Sequence, residues 1–335
     1  MIQTFLATLN PMLTLFICMV LGFILSKLNI LPENASKVMA KLETYIFCPA
    51  LSFYTMARNC TIANIGEHGL NIIIFSVVIA VAIALSYALN GVFVKDKKSY
   101  DRGVYLYALA FANLGYVGDP LVLALFGDVG LSYYKLACLP LTVLIYVWGI
   151  SVLVPKKENA GKFSAFKNLL NVPTVALVIG IIVGLLGGGE FILGKEGDMN
   201  FIGSTLNSLK DCMGPVAMII AGCTVAQYKI KPMLTNKKVY FATTLRLIVL
   251  PAVLVALAFG VKCLLNVCFN LAIDNFIIHL AFVAFGAPLG LNTVVFPEAY
   301  GGDAKTGAGM AMISHTLCVI SIPLMYALVA MLFPL

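Results

Sequence analysis

The sequence predicts an all-α polytopic membrane protein, with ten transmembrane helices arranged as a 5+5 inverted repeat. Three observations carry this prediction. Hydrophobic residues make up 61% of the 335-residue chain and charged residues 11%, at a mean hydropathy of +0.98, against about 45–50% and about 25% in a soluble domain. The apolar residues gather into ten stretches of membrane-crossing length. Two of these, the fourth and the ninth, are interrupted by glycine and proline at corresponding places in the two halves. The same composition excludes an intrinsically disordered chain, a collagen and a disulfide-stapled secreted module.

A helix needs about 20 mostly apolar residues to cross about 30 Å of hydrocarbon, where backbone polar groups find no water. The stretches that qualify are 5–26, 37–57, 69–94, 103–126, 130–154, 169–187, 202–228, 239–262, 275–299 and 306–332. The first lacks a basic leader, since the first lysine is Lys27. It is also longer than a signal-peptide core, so it reads as a retained span. Turns such as Leu31-Pro32-Glu33-Asn34 and Gly187-Gly188-Gly189 separate the stretches. Cys18, Cys48, Cys138, Cys212, Cys223, Cys263, Cys268 and Cys318 lie in apolar runs and read as small hydrophobes. Their spacing offers neither a zinc site nor a disulfide framework, and no cofactor is expected.

The net charge of +7 sits in short basic clusters between the spans, a topology signal rather than a nucleic-acid patch. Alternate loops, from the first, carry 16 Lys and Arg residues (Lys27, Lys37 and Lys41 through to Lys305), whereas the opposite loops carry Arg58, Lys135, Lys195 and Lys262. The positive-inside rule makes the first set cytoplasmic, with both termini outside, in a multi-pass protein of the cell membrane. Residues 1–154 then form one five-helix repeat, 155–168 a basic cytoplasmic linker, and 169–335 the second repeat. Five is odd, so the second repeat runs upside down. Phe47-Cys48-Pro49-Ala50-Leu51 answers Met213-Gly214-Pro215-Val216-Ala217, and Ala124–Asp128 answers Ala299–Asp303 with a slip of one residue. Inverted repeats characterise secondary transporters.

The fourth span reads Phe111-Ala112-Asn113-Leu114-Gly115-Tyr116-Val117-Gly118-Asp119-Pro120-Leu121, and the ninth Phe285-Gly286-Ala287-Pro288-Leu289-Gly290-Leu291-Asn292-Thr293. Such clusters remove helix hydrogen bonds and permit unusual backbone angles. Asp119 then Pro120 has the form of a helix start, an N-cap acceptor followed by proline. Each span is expected to be two half-helices flanking an unwound stretch. If the two stretches cross, half-helix N-termini from both repeats aim at one spot and attract an anion such as a carboxylate. Asn113 and Asn292 would add amide donors. Gly115, Pro120, Pro288 and Thr293 complete the candidate substrate site, with Gly118, Gly290, Pro49 and Pro215 as candidate helix breaks.

These residues resemble a known signature. Asn113 through Leu121, followed by Leu125-Phe126-Gly127, resembles the fourth span of the auxin efflux carrier family. Pro288 through Val295, Tyr300-Gly301 and a small-residue tenth span ending near Ile322-Pro323 resemble its ninth and tenth spans. Pro215-Val216-Ala217 and Arg246-Leu247 through Pro251 resemble the seventh and eighth. The resemblance implies crossing broken helices four and nine in a bile-acid-symporter-like fold, divided into a scaffold and a transport domain that moves as an elevator. It implies an organic-anion carrier: plant relatives carry indole acetic acid, and bacterial ones are linked to malate or malonate. The crossing positions carry over to Asn113, Pro120, Pro288 and Asn292. Asp119 departs from the pattern, which has an apolar residue before the fourth-span proline. A carboxylate there opposes an anionic substrate unless it is protonated or paired.

An ionisable residue at the centre of a membrane helix costs about 2.5–3.5 kcal/mol, so each one needs a reason. Asp119 is a plain cap or a coupling site. Arg246 is a snorkelling or helix-locking cation, or a substrate anchor. His315, beside the expected crossing, is a core histidine or a proton relay. Lys210 and Asp211 mark an outer vestibule or the membrane interface. The coupling ion expected is a proton, with sodium second. Metalloprotease, P-loop and nucleophile-elbow motifs are absent, so an enzyme is not expected. Rival readings are a sodium-coupled bile-acid-type symporter, a channel and a ligand-sensing receptor. The partners expected are a small organic anion and the lipid bilayer, with a homodimer left open.

Overall fold

The computed structural model describes residues 2–62, 65–96, 99, 101–153, 170–195, 197–228, 235–294 and 305–335. They are almost entirely helical. The basic linker, the second copy of the Ala124–Asp128 motif and Glu298, which the sequence puts in solvent near the cytoplasmic end of the ninth span, lie outside the described residues.

Several helices contain a widened π turn. Helix α1 spans Ile2–Lys27. Helix α2 runs Ala35–Leu42, widens over Glu43–Phe47 and continues Cys48–Asn59. Helices α3 and α4 span Ile65–Phe93 and Asp101–Ala110. After a break, α5 begins with a π turn at Leu114–Gly118 and continues Asp119–Ala137. Helix α6 runs Leu139–Leu144, Ile145–Gly149 and Ile150–Leu153, the middle segment again widened. Helices α7 (Val172–Leu185) and α8 (Gly189–Leu193) precede a two-stranded antiparallel hairpin, β1 Gly194–Lys195 and β2 Asp198–Met199. Helix α9 spans Phe201–Ala226. Helix α10 runs Lys237–Thr244, widens over Leu245–Val249 and continues Leu250–Phe269. Helix α11 is Phe276–Gly286, and α12 is Lys305–Leu332.

Proline accounts for three of the four widened turns among the described residues. A helical proline has no N–H, and its ring presses on the carbonyl four residues back. For Pro49, Pro120 and Pro251 that carbonyl belongs to Tyr45, Tyr116 and Leu247, the middle residue of each π turn. Widening the turn relieves the clash, and the residue before the proline bonds five back instead: Cys48 N–H to Glu43 O, Asp119 to Leu114 and Leu250 to Leu245. Pro49 was expected to break its helix; it widens one turn instead. Pro215 was expected to do the same, but α9 passes through it as unbroken α-helix.

Among the described residues, six helices are long and apolar enough to cross a membrane, one of them Leu114–Ala137. That segment is not one straight rod. At 1.5 Å per residue, Asp119 and Lys135 would stand about 24 Å apart in a straight helix, yet Lys135 Nζ lies 2.6 Å from Asp119 Oδ2. The chain doubles back at Gly127, whose φ of 67° and ψ of −169° are open to glycine and strained for other residues. Lys135, expected in an outward loop, is therefore inside a helix, with 11% of its side chain exposed. Lys262, also expected in such a loop, is buried within α10 and donates to Asn275 Oδ1 at 2.5 Å.

The helices fall into two groups, which meet where α1 packs on α12 and α2 on α5. Helix α9 packs on α1 and α2, and α7 on α2. In the second group α3 packs on α4, α5, α6 and α10, while α10 and α12 flank α11. Large apolar side chains face outward on both, for example Ile17 and Leu21 on α1, Val178 and Ile182 on α7, and Val253 on α10. Such a surface suits lipid rather than water. Tyr107, Phe111 and Phe285, beside the two interruptions, are each at most 1% exposed.

Candidate functional site

The two interruptions touch each other. Helix α4 ends at Ala110 and α11 at Gly286, and the extended residues beyond them pair as an antiparallel bridge between Ala112 and Leu289. Asn113 N–H donates to Pro288 O at 2.7 Å, and Leu289 N–H to Ser314 Oγ at 3.3 Å. Backbone groups released by the breaks thus find partners inside the protein, as they must at membrane depth.

Asn113 organises the spot. Its Oδ1 accepts from Tyr116 N–H at 3.2 Å and caps α5. Asp119, expected to be that cap, has helical angles and its side chain caps nothing. The π turn that precedes Pro120 places the helix start upstream, at Leu114. With its oxygen engaged, Asn113 turns its amide toward His315 Nε2 at 3.0 Å. His315 Nδ1 faces Ala311 O at 2.8 Å and must donate there, so Nε2 is the acceptor and the imidazole is held neutral. On the other strand, Asn292 Nδ2 donates to Tyr107 Oη at 2.8 Å.

Beside the crossing lies a cavity of about 200 Å³ between the two helix groups. Glu43, Cys48 and Ser52 of α2, Thr174 of α7 and Met213 of α9 line one side. Asn113, Gly115, Asp119, Lys135, Gly290 and Asn292 line the other. Five of the expected site residues therefore share one wall: Asn113, Gly115, Asp119, Gly290 and Asn292. Pro120 and Pro288 shape the crossing without lining the cavity; a Cβ at Gly214 would sit 3.0 Å from the Pro120 ring, so α9 approaches closely there. Thr293 is fully buried and donates to Gly290 O at 3.0 Å. Gly118 lies under the Tyr134 hydroxyl.

Arg246 was read as snorkelling, locking or anchoring. It is 2% exposed, which removes the snorkelling alternative, and it does not line the cavity. It donates to Leu109 O at 3.4 Å, at the C-terminal end of α4, where helix carbonyls favour a cation. Asp211 is exposed on α9 and reached by Asn207 at 3.4 Å. Its neighbour Lys210 points elsewhere, to Asp128 at 2.8 and 3.0 Å, with its ammonium 4.5 Å from the Tyr54 ring centroid.

Two charged residues on the cavity wall were not foreseen. Lys135 is found only once the reversal at Gly127 is recognised: Asp119 and Lys135 stand eight residues either side of it. Glu43 was visible as a charge within a predicted span, but nothing in one dimension said which way it faced. Among the described residues no cluster of histidine, cysteine, aspartate and glutamate could hold a metal ion.

Residues 7–326 match the family described as membrane transport protein, the auxin efflux carriers of the sequence resemblance. The chain belongs to that family. An uncharacterized transporter of Methanocaldococcus jannaschii is 26% identical over 320 residues, covering 94% of this chain and 97% of the relative. The auxin efflux carrier family places the crossing and its cavity in a transporter, and transport is the activity the fold has to explain.

Proposed function

We propose that this membrane transporter is a secondary carrier of small organic anions, carboxylates such as malate or malonate or auxin-like acids. One observation carries the reading: two interrupted helices from different halves bond to one another at Asn113 N–H and Pro288 O, beside a cavity shared by both helix groups. Asn113, Asn292 and the N-terminus of α5 supply donors and partial positive charge for a carboxylate. Asp119, which would repel one, is neutralised by Lys135.

In this reading the chain crosses the cell membrane ten times as two inverted repeats, both termini outside. Helices α3–α6 with α10–α12 move as an elevator against α1, α2, α7 and α9, giving alternating access. Moving Lys135 and Lys262 out of the outer loops sharpens the charge asymmetry behind this orientation, leaving Arg58 and Lys195 on that side. A proton is the coupling ion proposed, with Asp119 as its site; the chain catalyses no chemical step. The test is counterflow in liposomes loaded with malate or malonate, with and without pH and sodium gradients. Saturable exchange supports a carrier, and sodium dependence would favour the bile-acid-type alternative. Unsaturable conductance, or binding without flux, would instead leave a channel or a receptor.

A further inference from the structure

We propose that Glu43 receives a cationic group of the transported molecule, so that the substrate is an amino-bearing carboxylate rather than a plain one. This rests on the carrier reading above and narrows it.

Glu43 is 1% exposed, lines the cavity, and neither of its carboxylate oxygens has a hydrogen-bond partner. A buried carboxylate left so is costly unless something else satisfies it. Among the described residues, none of the elements packed around it supplies a cation: on its own helix Lys37 is exposed and Arg58 donates to Gly194 O. Helix α7 carries no charged residue. Helix α9 carries Lys210, held by Asp128, and the exposed Asp211. Helix α5 brings Asp119 and Lys135, which hold each other, and Lys41 on its own helix is exposed. His315 is held neutral by Asn113 and Ala311.

The cavity wall therefore carries two carboxyl groups and one amino group among its described residues, and Glu43 is the one left without a partner. A plain anion would bring its negative charge beside that carboxyl in a site of low dielectric and offer it no cation. An amino acid brings its own counter-charge. Its carboxylate meets the amides at the crossing and its ammonium meets Glu43, in charge-assisted hydrogen bonds of the stronger kind. Glu43 also opens a π turn, a feature often placed at functional sites.

The experiment is a thermal-shift titration of the purified full-length chain at pH 7 with matched pairs: succinate and aspartate, propionate and alanine, butyrate and 4-aminobutyrate. For at least one pair, the amino-bearing member should bind about tenfold tighter or more, and Glu43→Gln should bring that ratio close to one while sparing the plain acid. The wild-type comparison needs no variant, so it stands even if Glu43→Gln does not fold. Plain acids binding as well as amino-bearing ones would overturn the inference and leave the carboxylate carrier intact. So would plain acids that tighten on acidification in the wild type but not in Glu43→Gln, since Glu43 would then take a proton. Stabilisation by sodium over choline, lost in Glu43→Gln without any amine preference, would overturn it likewise. No stabilisation by any of the six acids would sink the carboxylate reading and this inference together.

Discussion

Lys210 on α9 closes on Asp128, the residue after the reversal at Gly127, at 2.8 Å. Asp128 belongs to α5 and Lys210 to α9, so this pair ties the two helix groups together. Lys210 is 5% exposed at its side chain and Asp128 32%. The coupling is therefore discounted for solvent and put at about 1 kcal/mol. Asp128→Asn should lower the melting temperature, and adding Lys210→Met should recover most of the loss. A double-mutant cycle by thermal unfolding measures it; strictly additive losses would mean that the pair does not hold the groups together.

Asp119 and Lys135 are far more enclosed, with 6% and 11% of their side chains exposed. Removing one partner from such a pair strands a buried charge and costs about 3–5 kcal/mol. Lys135→Met and Asp119→Asn should each be markedly destabilised, and Asp119→Asn with Lys135→Met should be near wild type. If Asp119 couples a proton to transport, the double variant exchanges substrate but loses its dependence on a pH gradient. Unchanged pH dependence would reduce the pair to a structural role.

Asn113 does two jobs, capping α5 and fixing His315. Asn113→Ala should lose about 1 kcal/mol for the cap and leave His315 Nε2 without its donor. Substrate binding in a thermal-shift assay should weaken at least tenfold. Asn292→Ala, which gives up the bond to Tyr107 and removes no helix cap described above, should fold as well as wild type and bind more weakly. Folded variants of both that bind and transport normally would show that the substrate sits elsewhere.

The helices and the two interruptions were legible in one dimension because they rest on composition and backbone chemistry: apolar length, glycine and proline. Asn113 and Asn292 were legible for the same reason, as polar residues inside those interruptions. Side-chain direction was not. Asp119 looked like a cap because proline often follows one, but the carbonyl of Tyr116 had to escape the Pro120 ring, and the widened turn gave capping to Asn113. Lys135 was counted with an outer loop because the reversal at Gly127 brings it back beside Asp119, a contact between chain segments that periodicity cannot reveal. Pro49 and Pro215 are the same residue type in matched motifs, yet the helix widens at one and not at the other.

Arg246 offers a test in which the direction of the effect depends on charge. Its guanidinium is buried and donates to Leu109 O, among the last carbonyls of α4, where the helix carries partial negative charge. Its Nε and Nη2 have no hydrogen-bond partner. A buried cation so incompletely satisfied contributes little net stability, because desolvation offsets its attraction to the carbonyls. Arg246→Met keeps much of the volume and removes the desolvation cost, so its melting temperature should stay near wild type. Arg246→Glu puts a carboxylate against those carbonyls and should be severely destabilised, by more than about 3 kcal/mol. Thermal unfolding of the two variants side by side decides the matter. Equal loss in both would mean that Arg246 acts through its shape and not its charge, and that the end of α4 is held by packing alone.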